Sequence, residues 1–171
     1  MADEKRLQRV TVSPPETVAE LQEMYAKVSD DPKSVAALFF MAMLQFTRDA
    51  RLGQDLVTFL MTREHAVTVR GGEKAPCRSV MYHLGRLEDH PHIARSYLEG
   101  ATPANGYDPG APPHAIVIER VHEINPDRVR LYVTCSGAES ARPLVLQRED
   151  GGWKVREESS LYSGTMAPAS P

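Results

Sequence analysis

Three histidines and one aspartate, His83, Asp89, His90 and His92, fall within ten residues near the middle of the chain. Imidazole and carboxylate groups are the ligands that zinc, nickel or copper accept in proteins. Pro91 separates two of the rings and favours a loop, and only His83 offers a third ligand at helical distance. The spacing is therefore more typical of solvated or helix-capping histidines, and we expect no metal and no cofactor.

Cys135 is the strongest candidate for a nucleophile, because it ends a predicted strand just before Ser136-Gly137. A reactive thiolate needs a basic or imidazole neighbour that lowers its pKa, and the sequence identifies no such neighbour. A small buried cysteine is the more common use of such a position. A Gly-x-Ser-x-Gly elbow, a Gly-x-x-x-x-Gly-Lys loop and a Gly-x-Gly-x-x-Gly loop are all absent. We therefore predict no catalytic residue and favour a non-enzyme.

Arginines and glutamates are interleaved along the predicted C-terminal strands. Their alternation favours cross-strand ion pairs on a solvated face of a sheet. If the carboxylates turn away, the same arginines form a patch for an anion or an acidic partner. The arginines are Arg120, Arg128, Arg130, Arg142, Arg148 and Arg156, and the glutamates are Glu119, Glu123, Glu149, Glu157 and Glu158.

The composition limits the class of protein that can carry these groups. The 171 residues are 42% apolar and 25% charged, which is typical of one globular domain, and the net charge of -3 gives no general attraction to nucleic acid. The two cysteines are too few for a disulfide framework. No apolar stretch typical of a secretory signal follows the first residues, and the longest apolar run, 35–44, is too short to span a membrane. We predict a cytoplasmic protein, with export by a specialised system without such a signal left open.

Helical patterns dominate the first half of the chain. Ser13 and Glu16 predict a capping box at the start of an amphipathic helix. The next helix is apolar nearly all round and must be wrapped by other elements, and Gly53 separates it from the third. Helices are predicted over 15–28, 35–46, 54–63 and 76–88, and a short strand over 65–70.

From His114 onward the pattern alternates, which predicts four antiparallel strands joined as a meander. Trp153 lies on the last strand and is predicted to be buried against the helices. Helices followed by an antiparallel sheet indicate an α+β fold, with an N-terminal helical half packed on a C-terminal four-stranded meander. We predict an N-terminal arm over 1–12, a single domain over 13–162 and a flexible tail over 163–171.

The long segment 99–115, between the helices and the sheet, is rich in turn residues and aromatics rather than in serine and glycine alone. Such a composition predicts an ordered loop, and long ordered loops are often functional. The candidate binding residues are Tyr97, Thr102, Asn105, Tyr107 and Asp108. We predict a non-enzymatic interaction or assembly module, which contacts another protein or a second copy of itself through this loop and a neighbouring sheet edge.

Several strings in the second half of the chain are distinctive: Arg95-Ser-Tyr, Gly100-Ala-Thr-Pro-x-Asn-Gly-Tyr, Cys135-Ser-Gly, Arg142-Pro and Trp153-Lys-Val followed by Ser159-Ser-Leu. Together they resemble an uncharacterised bacterial domain family of unknown function. The resemblance implies a shared domain and no particular chemistry.

The hairpin at 148–155 resembles the final hairpin of cystatin-like folds such as the NTF2-like domains. In those folds a curved sheet wraps around N-terminal helices and encloses a cone-shaped pocket. This likeness implies an alternative function, a small-molecule-binding or catalytic pocket that uses Tyr97, Tyr107, His114 or Asp108. An enclosed cavity of about 300 Å³ that contains two of these side chains would favour it.

Overall fold

The computed structural model describes residues 7–169, with helices in the first half and antiparallel strands in the second. The α+β class is therefore as expected. Five α-helices and seven β-strands lie in this part of the chain. In chain order they are β1 Gln8–Val12, α1 Val18–Val28, α2 Pro32–Arg48, α3 Ala50–Leu60, β2 Ala66–Thr68, β3 Lys74–Pro76, α4 Arg78–Asp89, α5 His92–Arg95, β4 His114–Asn125, β5 Arg128–Val133, β6 Arg142–Glu149 and β7 Gly152–Glu157.

The main sheet has five antiparallel strands in the order β1-β4-β5-β6-β7, and β2 and β3 form a separate hairpin. The meander β4-β5-β6-β7 agrees with the alternating pattern of the sequence. The predicted number of four strands is wrong, because β1 joins the sheet as a fifth strand. This strand comes from residues expected in an N-terminal arm, and Gln8 pairs with Ile118. Val10 and Val12 lie opposite the buried residues Ile116 and His114, so β1 extends the core-facing side of the sheet.

Helix α2 is the centre of the core, as its apolar pattern predicts. Every residue from Val35 to Phe46 is buried. The helix begins after Asp31, whose carboxylate accepts the Lys33 N–H, and Pro32 occupies the first turn, where no N–H donor is needed. Among residues 7–169, no helix is long and apolar enough to cross a membrane.

All four predicted helices begin at other residues than predicted: α2 and α3 begin earlier, at Pro32 and Ala50, and α1 and α4 begin later. Helix α1 begins at Val18, since the Thr17 side chain, rather than Ser13, accepts the Glu20 N–H. Helix α4 begins at Arg78, because Pro76 belongs to β3. Leu21 of α1 and Val80, Leu84 and Leu87 of α4 are buried.

Gly53 lies inside α3 rather than in front of it, because the Asp49 carboxylate caps this helix. A Cβ atom at Gly53 would stand 2.2 Å from the Cα atom of Phe46 on α2. The glycine therefore allows the two helices to approach closely, and it does not interrupt either of them.

Trp153 is buried, with 5% of its surface exposed, as expected for its place on β7. Its backbone N–H donates to the carbonyl of Ser29, just after α1. The Tyr25 hydroxyl donates to the Trp153 carbonyl over 2.8 Å. The edge strand β7 is thus held by the end of α1.

Residues 163–169, expected in a flexible tail, lie against other parts of the chain. The Met166 N–H donates to the Gly137 carbonyl, and the Ala169 N–H donates to the Pro103 carbonyl. The segment therefore passes beside the 99–115 loop.

Candidate functional site

Asn105 organises the 99–115 loop through its side-chain amide. Its Oδ1 atom accepts the N–H groups of Thr102 and Asp108 over 2.9 and 3.0 Å, and its Nδ2 group donates to the Gly100 carbonyl over 2.8 Å. Gly106 follows in the left-handed region at φ 69°, which suits glycine. The loop is ordered as predicted, and hydrogen bonds within it contribute to that order.

Two buried tyrosines anchor this loop. The Tyr97 hydroxyl donates to the Leu161 carbonyl over 2.6 Å, and the Tyr107 hydroxyl donates to the Met166 carbonyl over 2.5 Å. Burial raises the pKa of both phenols above the ordinary value, so both stay neutral donors. The rings therefore tie the loop to the C-terminal segment.

The remaining candidate binding residues of the loop, Thr102, Asn105 and Asp108, are exposed. Their polar groups serve the loop, since Thr102 and Asn105 cap each other and the Asp108 carboxylate accepts the Gly110 N–H. Thr102, Asn105 and Asp108 are brought together on one turn, and Tyr97 and Tyr107 lie beneath in the core.

The residues proposed for an NTF2-like pocket are not grouped around a described cleft. Tyr97, Tyr107 and His114 are buried, while Asp108 is exposed. Burial lowers the pKa of His114, and the nearby charge of Arg48 adds to this effect. Four surface clefts of about 230 to 600 Å³ within residues 7–169 are lined by other side chains.

Two of the three clustered histidines, His83 and His92, contact different partners. The His83 Nδ1 atom lies 2.9 Å from a carboxylate oxygen of Glu158, and its ring stacks on Tyr162. His92 stacks on Tyr107 instead, and its pKa is lowered by burial and by the nearby charge of His90. In the part of the chain that the structure describes, no three His, Cys, Asp or Glu residues are placed to hold a metal ion.

Glu158 is buried, whereas the sequence predicted only that it forms an ion pair with an arginine on the solvated face of the sheet. Burial raises the pKa of its carboxyl group, and the contacts with His83 and Tyr162 partly oppose that rise. Its pair with His83 joins residues from α4 and from the segment after β7, which no local spacing could indicate.

Cys135 is buried, and its Sγ atom lies 3.3 Å from the Ser96 hydroxyl. A thiol in this position packs between the sheet and the segment after α5. The geometry agrees with the interpretation as a small core residue.

The outward face of the sheet carries most of the arginines singled out above. On β5, Val129, Leu131 and Val133 point to the core, so the alternate residues Arg128, Arg130 and Tyr132 point outward. On β4, Arg120 lies opposite Tyr132, and His122 lies opposite Arg130. We call Arg120, Arg128, Arg130 and Arg156 the arginine face.

The arginine face makes its contacts mainly with uncharged side chains. The Arg120 guanidinium lies 4.0 Å from the centre of the Tyr132 ring. Arg128 and Arg156 both donate to Oε1 of Gln147, over 2.7 and 3.1 Å. Within residues 7–169, Glu64 is the one carboxylate within 4.0 Å of these four arginines, and it contacts Arg156.

The expected ion pairs between the sheet arginines and their neighbouring glutamates do not form in the described residues, and three of these carboxylates have partners elsewhere. Glu119 accepts the Thr134 hydroxyl, and Glu158 contacts His83. Glu149 contacts Arg63, which follows α3. Since helices and loops supply these partners, the alternation along the strands could not indicate them.

A cleft of about 340 Å³ opens beside the arginine face. On the sheet it is lined by Arg130, Tyr132, Pro143, Val145 and Glu157, and on the segment that follows β7 by Ser159 and Ser160. The pKa of the Tyr132 hydroxyl is lowered. Desolvation raises this pKa, but the hydrogen bonds and charges of Arg120 and Arg130 together lower it by more. Guanidinium groups in such a setting bind carboxylate or phosphate through paired N–H donors.

A family model described as "Domain of unknown function (DUF6935)" matches residues 13–169. The match spans nearly all of the described chain. Searches of curated proteins and of solved structures returned no match.

Proposed function

The chain belongs to the DUF6935 family, an uncharacterised domain family, and we propose that it is a non-enzymatic interaction module whose arginine face binds an acidic segment of a partner protein. The interaction role is the one expected for the 99–115 loop. The main contact is assigned to the arginine face because the polar side chains of the loop are engaged within it.

One observation carries this proposal. Four arginines share one sheet face, and a single carboxylate of residues 7–169 lies within ion-pair distance of any of them. Hydrogen bonds between a guanidinium and a carboxylate are about twice as strong as neutral ones. An acidic partner therefore gains contacts here that the protein's own glutamates do not make.

The charge of the whole chain favours a peptide over a nucleic acid as the partner. The net charge is -3, so the protein as a whole repels a long polyphosphate backbone. An acidic peptide is short enough to meet the local positive face without meeting the rest of the surface.

The test is the binding of a fluorescein-labelled peptide of about ten residues rich in Asp and Glu, measured by fluorescence anisotropy at several salt concentrations. Arg130→Glu is expected to weaken binding at least tenfold, since a charged hydrogen bond contributes about 1.5–3 kcal/mol and 1.4 kcal/mol is tenfold in Kd. Arg70→Glu is the matched control, because Arg70 is exposed on the hairpin that follows α3. It makes the same charge change away from the arginine face.

Affinity that falls equally in both variants would show a general charge effect and contradict the proposed site. Absence of peptide binding by the unmodified protein at low salt would do the same. A different outcome is that a single-stranded oligonucleotide binds more tightly than the peptide and loses its binding in Arg130→Glu. That result would assign the arginine face to nucleic acid instead of a peptide.

A further inference from the structure

Lys154 on β7 lines a surface cleft of about 600 Å³, and its side chain is only partly exposed. Its Nζ group donates to the Phe59 carbonyl of α3. The Nζ atom also lies 3.9 Å from the centre of the Phe59 ring and 4.4 Å from the centre of the Tyr25 ring of α1. Two helices therefore fix the position of this amine. We call the cleft the lysine cleft.

The two aromatic rings form a corner around the amine. Their centres are 5.2 Å apart, and their planes meet at 87°. The Tyr25 hydroxyl donates to the Trp153 carbonyl, directly before Lys154 in the chain. This bond joins the ring of Tyr25 to β7, so the corner and the amine are held together.

The surroundings of Lys154 favour its neutral form. Burial lowers the pKa of its amine, and the charges of Glu149 and Asp150 partly oppose this effect. Only the neutral amine has a free electron pair, so a desolvated lysine is a better nucleophile than a solvated one. The cleft therefore holds a nucleophile at a fixed place.

The charges that line the lysine cleft balance one another. Four basic and four acidic side chains line it: Arg51, Arg63, Lys74, Lys154, Asp55, Glu73, Glu149 and Asp150. Arg51 and Arg63 each contact two of these carboxylates, over 3.2 to 3.6 Å. A balanced set of charges does not attract an anion or a cation from solution, and it therefore favours a neutral ligand.

Apolar side chains supply a surface for the body of such a ligand. Val18, Phe59, Met61 and Ala66 also line the cleft. Its volume falls within the range of about 300–1,000 Å³ that is typical of small-molecule sites. A small molecule with an apolar group can thus lie against these residues with its reactive end at the amine.

We propose that the lysine cleft binds a small neutral aldehyde with an apolar group, and that the Lys154 amine forms an imine with it. The inference is independent of the proposed function, because the lysine cleft and the arginine face share no residue. It adds a covalent binding site for a small molecule on another side of β7.

The reaction needs only the amine and the aldehyde. The electron pair of Nζ attacks the carbonyl carbon, and one proton of the nitrogen moves to the carbonyl oxygen. The C–O bond of this carbinolamine then breaks, and the oxygen leaves as water with the remaining proton of the nitrogen. One amine and one aldehyde thus give one imine and one water, without an oxidant or a reductant.

The test is reductive trapping of the imine with benzaldehyde and sodium cyanoborohydride, followed by mass spectrometry of proteolytic peptides. Lys33 is the internal control, because it is also partly exposed and lies in the first turn of α2, outside the lysine cleft. We expect Lys154 to react faster than Lys33 by about tenfold or more, since binding in the cleft holds the aldehyde beside the amine.

The dependence on benzaldehyde concentration shows whether binding precedes the reaction. The rate at Lys154 should saturate, whereas the rate at Lys33 should rise linearly. A rate at Lys154 that rises linearly and does not exceed the rate at Lys33 would overturn the inference. This measurement uses the unmodified protein and does not depend on the folding of a variant.

Thr58→Phe tests whether the cleft itself is needed. Thr58 lines the cleft on α3, and its hydroxyl donates to a carbonyl of the same helix. Thr47 of α2 makes the same kind of bond outside the cleft, so Thr47→Phe is the matched control. We expect Thr58→Phe to reduce the rate at Lys154 to that at Lys33 and Thr47→Phe to leave it unchanged. Equal rates at Lys154 in the two folded variants would contradict the site.

Glyoxylate, an aldehyde that carries a carboxylate, tests the class of ligand. The ratio of the rates at Lys154 and Lys33 should be lower with glyoxylate than with benzaldehyde, because four carboxylates line the cleft and its apolar side chains gain nothing from this ligand. A higher ratio with glyoxylate would assign the cleft to an anionic aldehyde and overturn the proposed ligand class.

Discussion

Gly53→Ala tests the close packing of α2 against α3. In an ordinary helix interior this change stabilises by about 1 kcal/mol, because alanine has the higher helix propensity. At Gly53, however, the new Cβ atom would stand 2.2 Å from Cα and 2.6 Å from N of Phe46. Carbon atoms in contact are separated by about 3.5–4.0 Å, so the two helices would have to move apart by more than an ångström.

The expected result is a net loss of stability. Overpacking costs about 1–3 kcal/mol, and the upper part of this range applies because the atoms in the way belong to backbone and cannot rotate aside. After the gain in propensity, Gly53→Ala should lower the free energy of unfolding by about 2 kcal/mol. For a chain of this length that is a fall in Tm of about 4–8 °C.

Gly85→Ala provides the matched control. Gly85 also lies inside a helix, α4, but a Cβ atom there would meet nothing within 4 Å. This variant should be more stable than the unmodified protein by about 1 kcal/mol. Urea unfolding followed by circular dichroism gives both values from the midpoint and slope. An equal gain of stability in the two variants would refute the close approach of α2 and α3.

Two further predictions concern buried polar side chains. Tyr107→Ala should lower the free energy of unfolding by about 3 kcal/mol and leave the domain folded. Because the ring anchors the loop to Met166, limited proteolysis should then show new cleavage at 99–115. Global unfolding of this variant would contradict the prediction. Glu158→Gln should gain stability relative to the unmodified protein as pH rises from about 4 to 7. The pKa of the Glu158 carboxyl group is raised in the folded protein, so its ionisation lowers the free energy of unfolding once the pH exceeds the pKa of this group in the unfolded chain. Parallel profiles of unfolding free energy against pH for the two proteins would contradict this prediction.

The fold was predictable where one chemical pattern runs over many residues. Helix α2 is apolar on every side, and such a segment has no stable place except the centre of a core. Strands β4 and β5 alternate over enough residues to identify their buried side. Strand β1 was missed because five residues give a weak pattern and its partner lies far away in the chain.

The arginines of the candidate site could be placed on the sheet from their alternation, but their contacts could not. Whether Glu119 or Glu158 pairs with an arginine depends on Thr134 and His83, which other segments bring near. Similarly, the glycines and prolines of the 99–115 loop indicate an ordered shape. The sequence does not identify the acceptor of the Tyr107 hydroxyl, because that acceptor is the Met166 carbonyl in the C-terminal segment.

The position of β1 has a consequence for synthesis on the ribosome. Gln8 is made before the five α-helices, and its partner Ile118 is made only after them. The helices α2 and α3 follow each other directly and can compact while the chain is still being made, whereas β1 must wait for β4. Until β1 pairs, the stretch of β4 from His114 to Ile118 lacks its strand partner on that side, and pairing between nascent chains is favoured whenever this closure is slow.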